Sequence, residues 1–141
     1  MPAFISFRST VDPSDCDFLG HMNVSRYFAA CSDGVIAIQS ELGLTAEDMR
    51  SGRRLSFAVV NAQSDFLSEL QAGESIWLET GVEEIGTKSI TFRHTLYVAP
   101  DGKPVFSTRF KCVLLDLSAR KAAPVPENVR AKAAAFMVAP D

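Results

Sequence analysis

The sequence has few cysteines, and their arrangement excludes the sites that cysteine usually builds. Its 141 residues include Cys16, Cys31 and Cys112, an odd and widely spaced set without a C-x-x-C pair. This pattern indicates neither a disulfide framework nor a zinc site, and no cluster has the spacing of metal ligands, so we expect no metal. Cys31 and Cys112 are interpreted as buried, reduced thiols. A neighbouring carboxylate disfavours the thiolate of Cys16, which argues against a cysteine nucleophile.

Long apolar runs and an excess of positive charge are also missing. No apolar run approaches the roughly 20 residues of a membrane-spanning helix, and the N-terminus lacks the regions of a signal peptide. We therefore expect a cytoplasmic protein that does not bind membranes. The 14 Lys and Arg are outnumbered by 17 Asp and Glu, which gives a formal charge of −3. A nucleic-acid partner is not expected, because phosphate backbones are bound by basic surfaces.

The fingerprints of several large enzyme classes are absent as well. The chain has no G-x-x-x-x-G-K, no G-x-S-x-G and no dinucleotide fingerprint, which leaves NTP hydrolysis, α/β-hydrolase chemistry and NAD binding without support. Hydrophobic residues make up 47% and charged residues 22%, a composition typical of a folded protein. Without repeats or linker-like stretches, residues 1–141 are expected to form a single domain.

Hydrophobic patterning predicts one strand, one long helix and then four more strands. The strands are expected at residues 4–11, 55–66, 75–85, 89–98 and 105–117, because these segments are rich in β-branched and aromatic residues. The helix is expected over residues 24–42, where apolar residues recur at steps of three and four, namely Val24, Phe28, Cys31, Val35, Ile38 and Leu42. Asn23 suits its N-cap, and Gly43 suits the residue after its end. Shorter helices are expected at residues 45–49 and 127–136.

Turn signals between consecutive strands favour an antiparallel sheet and therefore the α+β class. The long helix can be buried only if the sheet curves around it, and the mixed polarity of the outer sheet face suggests a homodimer, possible also as a homotetramer. Gly34 lies on a stripe of small residues with Ala30 and Ala37. Either the sheet or a ligand must pack closely there, and we expect space beside Gly34 for a substrate. Alternation in the fourth strand places His94 on its core face.

The densest cluster of reactive side chains is Asp15-Cys16-Asp17-Phe18-Leu19-Gly20-His21-Met22-Asn23, between the first strand and the long helix. Unpaired N–H groups at a helix N-terminus stabilise developing negative charge, so a carbonyl placed there becomes more electrophilic. A nearby carboxylate can attack that carbonyl or activate water. Gly20 permits the loop to fold back close to a ligand. These are the parts of an acyl-transfer site without a Ser-His-Asp triad.

The spacing Asp15-x-Asp17-x-x-Gly20-His21-x-Asn23-x-x-x-Tyr27 resembles the signature D-x-D-x-x-G-H-x-N-N-x-x-Y of the 4-hydroxybenzoyl-CoA thioesterase-like branch of the hotdog-fold superfamily. The resemblance continues at residues 63–67, 115–121 and 126–130. It implies a hotdog fold, a five-stranded antiparallel sheet wrapped around one long central helix. It also implies dimers or tetramers with acyl-CoA sites at the subunit interface, and coenzyme A would be part of the substrate, with no separate cofactor.

The same resemblance assigns roles to individual residues. The family's catalytic carboxylate falls on Asp17, and the amide that polarises the thioester carbonyl falls on Val24 or its neighbour Asn23. His21 either orients Asp17 or a water molecule, or it only hydrogen-bonds its own loop. Tyr27 either packs in the core or contacts the substrate. Where the family has a second Asn, this chain has Val24.

These features favour an acyl-CoA thioesterase, which releases a carboxylate and free CoA. Two alternatives remain open at this point: a hotdog hydratase or dehydratase acting on acyl thioesters, and a non-catalytic module that binds acyl thioesters. The sequence does not select the residues that would bind the phosphates of CoA among its basic residues, namely Arg53, Arg54, Lys88, Arg93, Arg109, Lys111, Arg120, Lys121 and Arg130.

Overall fold

The computed structural model describes residues 4–139, which form an antiparallel sheet with helices, so the predicted α+β class is confirmed. The strands are β1 (Phe4–Thr10), β2 (Leu55–Phe66), β3 (Ser75–Ile85), β4 (Ser89–Val98), β5 (Lys103–Asp116) and β6 (Lys121–Ala122). Their order is β1-β3-β4-β5-β2, and β6 pairs with β5. The helices are α1 (Val24–Glu41), α2 (Ala46–Arg50) and α3 (Glu127–Ala133), with 3₁₀ turns at Pro13–Asp15 and Ala134–Phe136. Within residues 4–139 no helix is long and apolar enough to cross a membrane.

The predicted strand boundaries agree closely with the structure, except at β5 and β6. The bounds of β2, β3 and β4 are those predicted, whereas β5 begins two residues early, at Lys103. Pro104 therefore lies inside a strand, where it pairs with Tyr97 beside a register irregularity. A bulge tolerates proline because no ladder N–H is needed there. The two-residue strand β6 was not predicted, because it is too short to show a pattern, and it makes the sheet six-stranded where five strands were expected.

Helix α1 begins and ends as its capping residues predict. The side-chain oxygen of Asn23 accepts the backbone N–H of Ser25 at 3.0 Å, and Gly43 adopts the left-handed region with φ of +93°. The helix ends at Glu41, one residue before the predicted end. The assignment of Val24 to the buried stripe is wrong: its side chain is 56% exposed, because the buried face of α1 starts only at Tyr27.

The sheet packs directly on Gly34 of α1. A Cβ atom at this position would lie 2.8 Å from Cδ2 of Leu78, 3.0 Å from Oγ of Ser6 and 3.1 Å from Oγ1 of Thr80. Such distances are shorter than normal packing contacts, so glycine is what lets the helix approach β1 and β3 this closely. Of the two neighbours considered for the small stripe, the structure places the sheet at Gly34. This packing argues against the expected substrate contact at that residue.

The inner face of the sheet, which packs on α1, contains polar groups in the middle of the core. His94 is fully buried as predicted, and its Nδ1 lies 2.8 Å from Oγ1 of Thr80, which in turn lies 2.7 Å from Oγ of Ser6. Burial lowers the pKa of His94 to about 3, so its imidazole is neutral in the folded protein. The Nε2 atom of His94 has no hydrogen-bond partner among the described residues.

Candidate active site

Residues 16–22 form a tight hairpin that opens directly into α1. Cys16 and Met22 form a β-bridge, and the backbone N–H of Asp17 donates to the carbonyl oxygen of His21 at 2.9 Å. The N–H of Gly20 donates to the carbonyl oxygen of Asp17 at 3.0 Å, and the φ of Gly20, +84°, lies in the region that favours glycine. The hairpin therefore places Asp17 directly opposite His21, just before the start of the helix.

The carboxylate of Asp17 is held by its own loop. Its Oδ1 atom accepts the backbone N–H of Leu19 at 2.9 Å, and the side chain is half-buried. Among residues 4–139, no group hydrogen-bonds the second carboxylate oxygen, Oδ2. The hydrogen bond from Leu19 fixes the direction of the carboxylate while Oδ2 stays open to a ligand. This is the geometry that a nucleophile or general base needs.

Hydrogen bonding at the start of α1 distinguishes the two backbone amides, those of Asn23 and Val24, that were considered for polarising a carbonyl. The N–H of Asn23 donates to the carbonyl oxygen of Asp15 at 2.8 Å, and the N–H of Ser25 donates to the side-chain oxygen of Asn23. The N–H of Arg26 donates to the carbonyl oxygen of Asn23 at 2.9 Å. The N–H of Val24 has no acceptor in the described part of the chain. An unpaired N–H at the positive end of a helix can stabilise an oxyanion.

Two side-chain contacts, one at each end of the hairpin, join this segment to its surroundings. Oδ1 of Asp15 lies 3.1 Å from Nε of Arg26, in the first turn of α1. Nε2 of His21 lies 3.1 Å from Oε2 of Glu69, in the connection between β2 and β3. The imidazole of His21 is thus directed to Glu69, and its link to Asp17 runs through the backbone instead. Glu69 lies outside the hairpin, so this contact is neither of the two roles expected for His21, and both of those stay predictions.

Tyr27 lies in an aromatic cluster beneath the hairpin. Its ring centroid is 5.2 Å from that of Phe66 and 5.1 Å from that of Phe106, and Phe28 of the same helix also faces both rings. Burial raises the pKa of Tyr27 above its usual value. The packing role of Tyr27 is confirmed, and its contact with substrate stays a prediction. Phe66 and Phe106 were not identified from the sequence, because they come from distant strands.

Two large apolar side chains at the tip of the hairpin are exposed. Phe18 is 96% exposed and Leu19 is 64% exposed, and both follow Asp17 directly in the sequence. Adjacent exposed apolar side chains are available for contact with a partner or a substrate.

A cavity separate from the hairpin lies on the outer face of the sheet. It measures about 660 Å³ and is lined on β3 and β4 by Glu79, Arg93, Thr95 and Tyr97, with the segment 135–139 along its rim. Of the residues considered in the sequence analysis, Arg93, a candidate for binding the phosphates of CoA, lines this cavity, whereas Asp17, His21, Asn23, Val24, Tyr27 and Gly34 do not. Within residues 4–139 no group of three His, Cys, Asp or Glu side chains is placed to hold a metal ion.

Comparison with known proteins agrees with this fold. The model of the thioesterase-like superfamily matches residues 11–133. The Staphylococcus aureus protein SAV2348, solved in complex with CoA, superposes with a TM-score of 0.86 at 19% identity, covering 96% of this chain and 85% of that one. BH1999, a gentisyl-coenzyme A thioesterase, gives a TM-score of 0.78 at 21% identity, covering 88% and 98%.

The 1,4-dihydroxy-2-naphthoyl-CoA thioesterase Slr0204 from Synechocystis also superposes, with a TM-score of 0.78 at 16% identity, covering 91% of this chain and 93% of that one. Among curated protein sequences none matches this chain significantly. At these identities the solved structures establish the fold, while the family model spans nearly the whole chain. The chain belongs to the thioesterase-like superfamily, and the predicted enzyme class, a thioester hydrolase, is confirmed.

Proposed function

We propose that this protein hydrolyses an acyl-CoA thioester to a carboxylate and free CoA at the hairpin before α1. The observation that carries the proposal is a pair of groups there that have no hydrogen-bond partner within residues 4–139: Oδ2 of Asp17 and the backbone N–H of Val24. One is a carboxylate that can attack or activate water, and the other is an amide that can receive an oxyanion. In this proposal, β1 to β5 and α1 correspond to the hotdog arrangement of a five-stranded sheet around one central helix.

The chemistry follows from the positions of these two groups. The thioester carbonyl oxygen accepts the N–H of Val24, which stabilises the negative charge that develops on attack. With Asp17 as nucleophile, its oxygen bonds to the acyl carbon, the C–S bond breaks, and CoA leaves as the thiolate. Water then hydrolyses the mixed anhydride and restores the carboxylate. With Asp17 as general base, it takes the proton of an attacking water, and the same proton goes to the departing sulfur.

Three of the relatives support the choice of a CoA thioester as substrate. SAV2348 was solved with CoA, and BH1999 and Slr0204 are named for the acyl-CoA thioesters that they hydrolyse. These properties belong to those proteins. They support the proposal for this chain because its fold is shared with them and its own hairpin carries the groups that the reaction requires.

We also propose that the active form is a homodimer, which can double to a homotetramer. Phe18 and Leu19 project from the Asp17 hairpin into solvent, and edge strand β2 exposes Val59 and Val60. A second copy packed over these surfaces would bury apolar area and close the open side of the site. Light scattering is expected to give a multiple of 15.3 kDa. A stable, fully active monomer would contradict this arrangement.

The hydratase or dehydratase alternative receives less support from the geometry. Such an enzyme needs a histidine or acid directed at the acyl chain, whereas the imidazole of His21 is directed at Glu69 and that of His94 is buried beneath α1. A module that only binds acyl thioesters would not need the open carboxylate of Asp17.

The decisive experiment offers the purified protein a panel of saturated, unsaturated and aromatic acyl-CoA substrates. We expect the release of free thiol with at least one of them. Loss of the enoyl absorbance of an unsaturated substrate without thiol release would indicate a hydratase, and binding without any turnover would indicate the non-catalytic module.

A further inference from the structure

A small polar cavity on the outer face of the sheet has no role in the proposed reaction. Its volume is about 160 Å³, and it is lined by Asn61, Gln63, Glu84, Thr91, Arg109 and Lys111. We propose that this cavity is a phosphate-binding site centred on Arg109 and Lys111, which holds a phosphate of the CoA part of the substrate. The proposal therefore rests on the proposed function and adds the residues that recognise the nucleotide end.

Strand register explains why these side chains converge. Lys111 of β5 pairs with Asn61 of β2 on one side and with Thr91 of β4 on the other. Two residues earlier on the same strand, Arg109 pairs with Gln63 of β2. Residues two apart on a strand share a face, so both cations and both amides point to the outer side. With Glu84 of β3, the cavity is thus built by four adjacent strands of the sheet.

A buried carboxylate fixes Arg109 for this role. Oε1 of Glu83 lies 2.9 Å from Nε of Arg109 in an ion pair, while Oε2 accepts the Nε–H of Arg93 at 3.3 Å, and the side chain of Glu83 is only 7% exposed. Because the contact uses Nε, it orients the guanidinium and leaves its terminal N–H groups for a ligand. Lys111 is exposed and makes no ion pair with any described residue.

The local charge favours an anion although the whole chain is acidic. The lining of the cavity carries two cations, Arg109 and Lys111, and one carboxylate, Glu84, which is one positive charge in excess in a chain whose net charge is −3. The guanidinium, the ammonium, the two amide NH₂ groups and the hydroxyl of Thr91 supply many donors to a small space. A phosphate, with several strong acceptor oxygens and up to two negative charges, matches this set.

The cavity also lies within reach of the Asp17 hairpin. Gln63, which lines the cavity, lies six residues before Glu69 in the sequence. The carboxylate of Glu69 contacts His21 of the hairpin. Six extended residues span at most about 20 Å. In CoA, the pantetheine arm separates the thioester from the phosphates, so a substrate whose acyl carbon is at Asp17 has its phosphates well away from the hairpin.

The test compares two substrates that share an acyl group but differ in their phosphates. Acyl-CoA carries the nucleotide, and the matching acyl-pantetheine thioester lacks every phosphate. Lys111→Gln is expected to raise the KM for acyl-CoA about three- to tenfold, which is the usual effect of losing an exposed charge-assisted contact. The KM for acyl-pantetheine should stay unchanged. Arg109→Gln is expected to act in the same direction. Lys132→Gln, which removes a lysine exposed on α3, is the control and should change neither value.

Calorimetry decides the question independently of turnover. Adenosine 3′,5′-bisphosphate is expected to bind the wild-type protein, more weakly at high salt and more weakly still to Lys111→Gln. If inorganic phosphate binds as tightly as this nucleotide, the phosphate site stands but its ligand is free phosphate. Equal increases in KM for both substrates would overturn the proposal, as would the absence of binding by either probe. If no thioester is hydrolysed at all, the proposed function fails, and calorimetry alone still decides the phosphate site.

Discussion

The backbone N–H of Asn23 donates to the carbonyl oxygen of Asp15, 2.8 Å away, so the first N–H at the start of α1 without an acceptor among the described residues belongs to Val24. The same bond closes the hairpin that carries Asp17 onto the helix. One contact therefore positions the carboxylate and selects the amide on the opposite side of the proposed site.

Asp17→Asn is expected to lower turnover by about 100- to 10,000-fold if Asp17 is a general base, and further if it is the nucleophile. The amide oxygen of asparagine can still accept the N–H of Leu19, so the hairpin should keep its shape. Thiol release measures the loss, and intact acyl-CoA should be recoverable from the protein. Asp15→Asn, which only weakens the ion pair with Arg26, is the matched control. Near wild-type turnover in the folded Asp17→Asn protein would refute the mechanism.

Val24→Pro is expected to reduce kcat by about 100- to 1,000-fold, because it removes the N–H that receives the oxyanion. Proline is favoured at the first position of a helix, and Asn23 before it is already extended, with φ of −67° and ψ of 144°. The helix should therefore be preserved, which circular dichroism can verify. Val24→Ala keeps the N–H and should keep most of the activity. Equal activity in both variants would exclude this amide from catalysis.

Gly34→Ala is expected to destabilise the protein by up to about 2 kcal/mol. Overpacking against Leu78 and Ser6 costs about 1–3 kcal/mol, while alanine recovers about 1 kcal/mol of helix propensity. Urea unfolding measures the difference. Ser32→Ala, at an exposed position of the same helix, should stay within about 0.5 kcal/mol of the wild type. A stabilised Gly34→Ala protein would show that the sheet does not press on this position.

Buried His94 is expected to make stability depend on pH. Its pKa is about 3 in the folded protein because of burial, and the ordinary value is 6.5. Below pH 6.5 the imidazole of His94 therefore binds a proton in the unfolded chain but stays neutral in the folded protein. The free energy of unfolding falls as pH decreases from 6.5 towards 3. The slope is at most about 1.4 kcal/mol per pH unit. Comparing urea unfolding at pH 7 and pH 5.5 should show a loss of about 1 kcal/mol that His94→Gln lacks.

The three cysteines are expected to react with thiol reagents in two classes. Burial raises the pKa of Cys31 and Cys112 to about 12, so hardly any thiolate forms near neutral pH. Cys16, in the hairpin, is only half-buried. A disulfide reagent should therefore label one thiol in the native protein and all three after denaturation. Rapid labelling of three thiols under native conditions would contradict the burial of Cys31 in α1 and of Cys112 in β5.

Local patterns in the sequence determined the elements and the location of the proposed site. Periodicity and capping residues predict α1 to within one residue, and β-branched and aromatic content between turn signals predicts β2, β3 and β4 with their observed bounds. The spacing of Asp17 and His21 before the helix predicts a reactive loop there. These signals depend on neighbours along the chain, whose geometry is set by the backbone and by side chains a few residues away.

The tertiary structure decided everything that depends on contacts between distant segments. Leu78 and Ser6 occupy the space beside Gly34. The carboxylate of Glu69 contacts the imidazole of His21. Glu83 of β3 forms an ion pair with Arg109 of β5. The sequence shows which residues could make such contacts, but the sheet order, the register of its strands and the approach of the helix select the partners. Those choices arise from packing the whole core at once, so no local segment contains them.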